Sequence, residues 1–359
     1  MHQEIKEWLK AIIHPELKQN ITDAGLINKI EINEKQIRVV LLYKKPVDPF
    51  ANTIKRNAEE LLKLKIKNKE IIVENLFPEV KTKKYEGLTA VKNIVAIASG
   101  KGGVGKSTVT ANIAVALAMN GYKVGLLDGD VYGPSIPKMF GIENEKPEVT
   151  VEEGIELIKP IEKYGVKVLS IGFFVDPNQA LIWRGSMATS ALKQLLEQTE
   201  WGELDVLLID MPPGTGDIHL TLVQTVAVTG VAIVTTPQEV AIADVIKGIS
   251  MFRNPSINVP VLGIIENMSW FTPAELPENK YYIFGKGGGE RMAKQFNVPL
   301  LGQIPLVQSI CESGDKGKPI VNAHSIEAEA FRTLCNNLLT SLEERNKMEP
   351  TKKVEITHK

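Results

Sequence analysis

The sequence predicts an α/β fold: a mostly parallel sheet covered by helices on both faces, preceded by a small α/β domain. From residue 92 onward, short apolar runs alternate with segments of helical periodicity, which is the pattern of strands joined by crossover helices. The first 80 residues carry a separate set of strand and helix patterns, and a polar, charged stretch follows them. A chain of 359 residues is long enough for two domains, each with its own core.

Residues 1–80 are predicted to form the small domain, and residues 81–91 its linker to the rest of the chain. In the opening segment, Ile5 and Leu9 share one helical face. The remaining predicted elements are a hairpin at 30–34 and 37–43, an amphipathic helix at 52–64 and a strand at 70–74. The charged linker favours a solvated tether, with an anionic partner as the alternative.

The larger domain is predicted at 92–345. Its strands are expected at 94–98, 123–128, 166–171, 205–210, 231–235 and 260–265, and its helices at 107–119, 186–198, 241–252 and 326–345. The last helix carries an apolar stripe formed by Phe331, Leu334, Leu338 and Leu342, which indicates packing on a core. The polar residues 346–359 are expected to be a disordered tail.

Composition narrows the class of function and the compartment. A formal charge of -1 argues against bulk electrostatic binding of nucleic acid. The two cysteines, Cys311 and Cys335, cannot form a disulfide framework and fit a reducing compartment. The N-terminus lacks the apolar core of a signal peptide, and no run approaches the ~18 apolar residues that cross a bilayer. We therefore expect a cytoplasmic protein with neither nucleic acid nor membrane as a partner.

The most informative motif is a phosphate-binding loop. Residues 100–107 match G-x-x-x-x-G-K-[ST] and lie between a predicted strand and a predicted helix, where backbone N–H groups and the helix dipole favour a phosphate. Lys106 is expected to reach the β- and γ-phosphates, and the Ser107 hydroxyl to coordinate Mg²⁺. The predicted nucleotide contacts are Gly100, Lys101, Gly102, Gly103, Val104, Gly105, Lys106, Ser107 and Thr108. This motif predicts a P-loop NTPase fold.

Acidic residues at the ends of two other predicted strands complete a catalytic set. Asp210 ends the apolar run 206–209, which is the Walker B pattern, and is expected to hold Mg²⁺ through water. The strand at 123–128 ends in Asp128-Gly-Asp130. We assign Asp130 to orienting and partly deprotonating the attacking water, and Asp128 to supporting Mg²⁺ and the loop. Turn chemistry alone is the alternative for each of these acids.

The loop carries a second lysine, Lys101, that its own nucleotide does not need. Such a lysine can cross a dimer interface and neutralise phosphate charge on the partner's nucleotide, as an arginine finger does. The sequence therefore predicts a catalytic role for Lys101 in a homodimer. A solvated loop lysine is the alternative.

Together these motifs resemble the deviant-Walker-A P-loop ATPases, and within that class the Mrp/ApbC family of iron–sulfur cluster carriers. The resemblance covers about residues 90–340. It rests on Gly100 to Thr108, Leu127-Asp-Gly-Asp-Val-Tyr-Gly-Pro-Ser135, Trp183-Arg-Gly185, Asp210-Met-Pro-Pro-Gly-Thr-Gly-Asp217, Thr236-Pro-Gln-Glu-Val-Ala241, Glu266-Asn-Met-Ser269 and Ile283-Phe-Gly-Lys-Gly-Gly-Gly289. Residues 1–80 resemble the PaaD/SufT-like assembly-associated domain through His14-Pro-Glu-Leu17 and Ile21-Thr-Asp-Ala-Gly-Leu-Ile27.

The resemblance implies an ATP hydrolase with ATP and Mg²⁺ as cofactors, which carries a [4Fe-4S] cluster on a homodimer. It implies iron–sulfur apoproteins and assembly factors as partners. It also implies that Asn267 hydrogen-bonds the adenine edge and that Pro305 flanks the ring. The class contains an alternative function as well, a MinD/ParA-like regulatory switch that recruits a partner protein, membrane or DNA when ATP binds. ATP-driven binding to liposomes or DNA would distinguish this switch from a carrier.

One departure from the family affects the cluster. Carriers of this family typically place Cys-x-x-Cys between Asn-Met-Ser and Ile-Phe-Gly, and the corresponding segment here, 270–282, has no cysteine. Iron–sulfur centres require thiolates. Cys311 and Cys335 are both expected to be buried and inert. We therefore expect weak or no conventional [4Fe-4S] binding, with any transfer depending on a partner or on the N-terminal domain.

Overall fold

The computed structural model describes residues 1–44, 48, 50–77, 87–152, 155–175, 185–273, 275–276 and 278–354. The chain divides into two compact units, 1–83 and 84–359. Most of the linker predicted at 81–91 lies outside the described residues, as do Trp183 and Arg184 of the family-like segment.

The N-terminal unit is a small α/β domain with its own core. Its largest sheet has the order β3-β4-β5, in which β3 and β4 are antiparallel and β4 and β5 are parallel. The second helix buries Ile54, Ala58 and Leu62, which the sequence places at helical spacing. The elements are α1 (His2–Leu9), β1 (Ile13–His14), β2 (Gln19–Asn20), β3 (Ile27–Ile32), β4 (Gln36–Leu42), α2 (Ala51–Lys65) and β5 (Glu70–Leu76).

In the second unit, strands and helices alternate as the sequence predicts. The first half contains β6 (Val91–Ser99), α3 (Lys106–Met119), β7 (Val124–Asp128), α4 (Ile136–Phe140), β8 (Glu148–Glu152), β9 (Ile155–Lys159), β10 (Ile161–Lys163) and β11 (Val166–Ser170). The second half contains α5 (Gly185–Glu197), β12 (Leu204–Asp210), α6 (Asp217–Thr225), β13 (Gly230–Thr235), α7 (Glu239–Phe252), β14 (Val261–Glu266), α8 (Gly288–Phe296), β15 (Leu300–Gln303), α9 (Gln308–Asp315) and α10 (Ile326–Asn346). Short 3₁₀ turns lie at Ile171–Phe173 and Ile320–Asn322.

The central sheet confirms the predicted fold class. Among the described residues its strand order is β10-β11-β7-β12-β6-β13-β14-β15, and every neighbouring pair except β10 and β11 is parallel. All residues of β7 and β13 are buried, because the continuous apolar runs of parallel strands are covered on both faces. The register pairs Asp210 with Asp128, so these two acids lie side by side at the carboxyl edge.

Two parts of the larger unit differ from the sequence-based expectation. A β8–β9 hairpin and β10 occupy 148–163, where no strand was predicted, because the charged residues within them interrupt the apolar pattern. The tail expected to be disordered has a defined course as far as residue 354. The Val354 N–H donates to the Val223 carbonyl at 3.0 Å, and Val354 packs against the main core. Residues 346–354 therefore have a defined position in the structure, in contrast to the disorder that their polar composition favours.

The stripe predicted on the last helix is confirmed. Phe331, Leu334, Leu338 and Leu342 are all buried on α10. Ser325 caps the helix, because its hydroxyl accepts the N–H of Ala328 at 3.2 Å. Across the described residues, none of the helices combines the length and the apolar character needed to span a membrane.

Candidate nucleotide-binding site

The predicted phosphate-binding loop connects the end of β6 to the start of α3. Gly105 directly precedes the helix in the left-handed region at φ 79°. A Cβ at this position would lie 2.2 Å from the Asn267 amide nitrogen, so the residue must be glycine both for its backbone angle and for this contact. Gly100 has a similar constraint at the other end of the loop, where a Cβ would lie 2.5 Å from Asp244 on α7. Asp244 of α7 and Asn267 after β14 therefore pack closely against the two ends of the loop.

Lys106 lies in a cluster of acidic side chains formed by neighbouring strands. Its ammonium is 2.9 Å from Asp210 Oδ2 and 3.8 Å from Asp130 Oδ2, and the side chain is only 6% exposed. The proximity follows from topology, because β12 and β7 are neighbours and β6 lies on the other side of β12. An incoming phosphate can compete with these carboxylates for the buried Lys106 ammonium and so rearrange the cluster.

Asp210 organises the hydroxyl groups at the start of α3. The Ser107 hydroxyl donates to Asp210 Oδ2 at 2.5 Å, and the Thr110 hydroxyl lies 2.8 Å from Asp210 Oδ1. Asp210 is fully buried, so these bonds and the Lys106 pair compensate its charge. The predicted Walker B acid therefore contacts the predicted Mg²⁺-binding hydroxyl directly.

Asp128 supports the neighbouring loop from a fully buried position. Its oxygens accept hydrogen bonds from the Ser170 hydroxyl at 2.9 Å, the Asp130 N–H at 3.2 Å and the Ile136 N–H at 3.3 Å. Burial raises the pKa of Asp128 above its ordinary value, and the nearby Asp210 charge raises it further. These bonds hold the loop that follows β7 in place.

Of the two acids at the carboxyl end of β7, Asp130 is more exposed to solvent than Asp128. Its side chain is 14% exposed, and among the described residues its Oδ1 is a buried oxygen without a hydrogen-bond partner. Burial raises the pKa of Asp130, whereas the positive charge of Lys106 opposes that rise. An unpartnered carboxylate oxygen beside Lys106 is available to a water molecule or to a cation.

Lys101 lies apart from the acid cluster. Its ammonium donates to the Gln238 side-chain oxygen at 3.3 Å, just before α7, and the residue is half-buried. The backbone carbonyl of Lys101 accepts the Ser99 hydroxyl at 3.0 Å, which orients the start of the loop. Of the two loop lysines, Lys106 thus contacts the acids of its own chain and Lys101 contacts a neutral amide.

The residues assigned to the base lie on the other side of the sheet centre, after β14 and β15. Asn267 is buried, and its amide donates to the Val104 carbonyl at 2.8 Å. Pro305 is also buried, two residues beyond β15. Asn267 therefore contacts the loop backbone directly, a contact that its sequence position does not indicate.

The donors present fit a nucleotide and Mg²⁺. The start of α3 has no side-chain cap, so its backbone N–H groups are available to an anion. Among the described residues no three His, Cys, Asp or Glu side chains converge as a ready metal site. Mg²⁺ usually takes few protein ligands together with phosphate oxygens and water, and Ser107 with Asp210 supplies such a set.

The sulfur donors do not fit a four-thiolate cluster. Cys335 is buried on α10, and burial raises the pKa of its thiol to about 12. Cys311, expected to be buried, is instead exposed on α9, because that helix buries none of its residues. In the segment 270–282 the ring of Trp270 lies under the Lys280 ammonium at 4.0 Å, and Phe271 pairs with Tyr281.

Sequence reasoning missed three residues of the site. Thr110 lies one helical turn after Lys106, a spacing that could have revealed it. Ser170 reaches Asp128 only because β11 pairs with β7, and Gln238 reaches Lys101 only because of where α7 begins. Gln238 lies within the family-like segment 236–241, whereas no sequence signal marks Ser170.

Comparisons with known proteins agree with the geometry. Residues 90–339 match the family described as NUBPL iron-transfer P-loop NTPase, and residues 2–73 match the family described as iron-sulfur cluster assembly protein. An iron-sulfur cluster carrier protein of Synechocystis sp. is 43% identical over 92% of this chain and 94% of its own length. Another from Aquifex aeolicus is 52% identical over 71% of this chain and 69% of its own length.

A solved structure shows the same fold with a nucleotide. It is a nucleotide-binding protein from Archaeoglobus fulgidus in complex with ADP, 38% identical, with a TM-score of 0.57 over 67% of this chain and 93% of that one. The family match covers well over half of the chain, and the Synechocystis relative extends over nearly all of it. The chain therefore belongs to the family of NUBPL-type iron-transfer P-loop NTPases.

Proposed function

We propose that this protein binds ATP with Mg²⁺ at the loop 100–108, hydrolyses it, and uses the cycle to deliver iron–sulfur clusters to apoproteins. The nucleotide part rests on one observation: Lys106, Ser107, Asp130 and Asp210 converge where parallel strands end. Relatives named iron-sulfur cluster carrier proteins support the delivery part.

In the binding step, the backbone N–H groups of the loop donate hydrogen bonds to the phosphate oxygens, and Lys106 turns from Asp210 to the β- and γ-phosphate oxygens. Ser107 and Asp210 are the residues that would hold Mg²⁺ beside the phosphates. When bound, Mg²⁺ neutralises phosphate charge. Asn267 and Pro305 receive the adenine, for which Asn267 exchanges its bond to the Val104 carbonyl.

In the hydrolysis step, Asp130 orients the attacking water and takes up its proton at the unpartnered Oδ1. Asp128 supports the ion and this geometry indirectly, because its carboxylate holds the Asp130 backbone N–H. Lys101 leaves Gln238 and extends to the nucleotide of a second copy in a homodimer. Charge supplied in this way is worth roughly 10³–10⁵ in kcat.

The cluster is cargo, and the thiols of this chain do not suit it. The raised pKa of Cys335 keeps that thiol protonated, which leaves one accessible thiol, Cys311, among the described residues. A cluster of four irons needs about four thiolates. We therefore propose that apoproteins or assembly factors supply ligands, and that the N-terminal unit takes part in that exchange.

The nucleotide site is tested by Lys106→Ala. Loss of this charge should weaken ATP affinity roughly 100-fold or more, since a buried charged contact is lost. Isothermal titration calorimetry with Mg²⁺ measures this directly. Lys123→Ala is the matched control, because Lys123 forms an exposed pair with Glu203 away from the loop. Tight ATP binding by Lys106→Ala would contradict the assigned site.

The cargo assignment is tested by anaerobic reconstitution with iron and sulfide. We expect well below about four irons per dimer in the isolated protein, by Mössbauer spectroscopy and iron analysis. Cys311→Ser is compared with Cys335→Ser, which removes only the buried thiol. A stable cluster in the wild-type protein that Cys311→Ser abolishes would show that the chain itself supplies ligands.

A further inference from the structure

A large cavity lies at the amino end of β6, on the side of the central sheet away from the phosphate-binding loop. Its volume is about 910 Å³, and it is lined by the start of β6, the turn from α6 to β13 and the segment that follows α10. A strand rises about 3.3 Å per residue, so roughly 25 Å of β6 separates the cavity from the nucleotide site. Nothing in the proposed reaction uses this cavity.

The cavity contains a buried guanidinium group. Arg345, in the last turn of α10, lines the cavity and is only 7% exposed. Its Nη2 donates to the Glu349 carbonyl at 2.8 Å, whereas its Nε is buried and has no hydrogen-bond partner among the described residues. A buried charge that bonds only a neutral carbonyl is costly, and its unpaired donor needs an acceptor. An anion in the cavity would meet both needs.

The charges around the cavity also favour an anion. Among the described lining residues, Lys92 and Lys353 are positive in addition to Arg345, and Glu197 is the one acidic side chain. Lys92 forms an ion pair with Asp205 at 2.7 Å, which compensates its charge. Arg345 and Lys353 therefore leave an excess of positive charge over Glu197.

Much of the remaining lining is apolar, and this limits the class of anion. The apolar lining residues include Leu88, Val91, Val226, Ala227 and Met348. Cavities of this size with a mostly apolar lining and a few polar groups are typical of small-molecule sites. A carboxylate suits the guanidinium because its two oxygens match the fork of N–H donors. An apolar chain attached to that carboxylate suits the rest of the lining.

The wall formed by the segment after α10 is held in place by contacts within the larger unit. Arg345 bonds this segment through the Glu349 carbonyl, and farther along the Val354 N–H donates to the Val223 carbonyl at 3.0 Å. Arg345 therefore fixes one wall of the cavity and still has a donor left for a ligand.

We propose that this cavity binds a small organic acid, whose carboxylate pairs with Arg345 and whose apolar chain lies against the apolar lining. The carboxylate accepts the Nε–H hydrogen bond and compensates the buried charge. The apolar chain gains the free energy of leaving water. This site is separate from the nucleotide site, and the inference does not depend on the proposed ATPase function.

Calorimetric titration of the full chain tests the site with three probes: octanoate, its neutral counterpart octanamide, and acetate, which lacks the apolar chain. Arg345→Met keeps the unbranched stem and removes the charge, and Ala227→Phe fills part of the cavity but keeps Arg345. Arg332→Met is the matched control, because Arg332 is on the same helix and bonds the carbonyls of Val321 and Ala323, none of which lines the cavity. Thermal melts confirm that each variant folds.

We expect octanoate to bind at least about tenfold more tightly than octanamide or acetate. Arg345→Met should abolish the preference for octanoate over octanamide, and Ala227→Phe should weaken octanoate binding about tenfold. Arg332→Met should change neither quantity. No octanoate binding, equal affinities for octanoate and octanamide in the wild type, or wild-type octanoate affinity in Arg345→Met or Ala227→Phe overturns the inference. Competition between octanoate and ADP with Mg²⁺ also overturns it, because the acid would then occupy the nucleotide site.

Discussion

At the scale of single residues, the site is a cluster of charges in which each acid has a different environment. Asp210 is bonded by Lys106, Ser107 and Thr110. Asp128 accepts hydrogen bonds from Ser170 on β11 and from two N–H groups of the loop that follows it. Asp130 alone among the three keeps a buried oxygen without a partner in the described part of the chain. All three residues are aspartates, so their different environments are what distinguish the acid that organises the metal from the acid that orients the water.

This difference predicts the behaviour of Asp130→Ala. ATP affinity should stay within a few-fold of wild type, while kcat falls about 10²–10⁴-fold, because water orientation matters only on the way to the transition state. Steady-state phosphate release and calorimetry measure the two quantities. Glu203→Ala, on the surface, should change neither. Hydrolysis at the wild-type rate by Asp130→Ala would assign water orientation to another group.

His219 predicts a pH dependence of stability. Its folded-state pKa of about 4 lies below the ordinary value of 6.5, so the folded protein resists protonation and stability is lost as the pH falls between these values. From pH 7 to pH 5, the free energy of unfolding of the wild type should fall by about 2 kcal/mol more than that of His219→Gln. Urea unfolding at both pH values measures the difference. Equal pH dependence in the two proteins would mean that the ring is protonated freely in the folded chain.

At the scale of elements, the phosphate-binding loop is fixed by contacts with segments far away in the sequence. Asn267, after β14, bonds the carbonyl of Val104, and Asp244 on α7 closes over Gly100. The loop motif therefore defines which residues meet a phosphate. The shape of the loop depends in addition on Asn267 after β14 and on Asp244 of α7. This dependence explains why a glycine is needed at each end.

Gly105→Ala should disrupt the loop through its contact with Asn267. The new methyl group displaces the amide from the Val104 carbonyl, and ATP affinity should fall at least about tenfold. The matched control is Gly121→Ala, which has a similar φ of 85° but no atom within 4 Å. Both variants should lose roughly 1 kcal/mol of stability from backbone strain, and only Gly105→Ala should lose affinity. Melting curves and calorimetry separate these effects, and equal affinities in the two variants would show that the Asn267 contact is unimportant.

At the scale of the whole molecule, the two lysines of the loop predict a shared active site. Lys106 contacts acids of its own chain and Lys101 does not, so Lys101 is the residue available to a second copy. Mixing Lys101→Ala chains with Asp130→Ala chains should create one intact site per mixed dimer. Activity should reach about one quarter of the wild-type value, since about half of the dimers are mixed.

The parent variants provide the control for this mixture. Each alone should remain nearly inactive at the same total concentration, and activity should rise only when the two are combined. If Lys101 acts within its own chain, every site in the mixture carries a defect and no activity returns. Phosphate release, measured over a range of protein concentrations, also shows whether activity per chain depends on dimer formation.

The alternation of apolar runs and helical patterns was sufficient to predict the parallel sheet, since side-chain periodicity is a local property of the chain. The loop motif and Asp210 could be found in the same way, because short motifs carry their own geometry. The burial of Cys335 was also predictable, from its place on the apolar face of α10.

Only the tertiary structure decided which residues meet. The order β11-β7-β12-β6 brings Ser170 to Asp128 and Asp210 to Lys106, and no pattern within one segment encodes that order. The same holds for the exposure of Cys311, which lies on a helix that buries none of its residues fully and packs only Ile310 partly against the core. The unsatisfied ring of His219 likewise appears only once the surrounding elements are packed. Local periodicity specifies each element, whereas contacts between distant segments depend on the packing of the whole sheet.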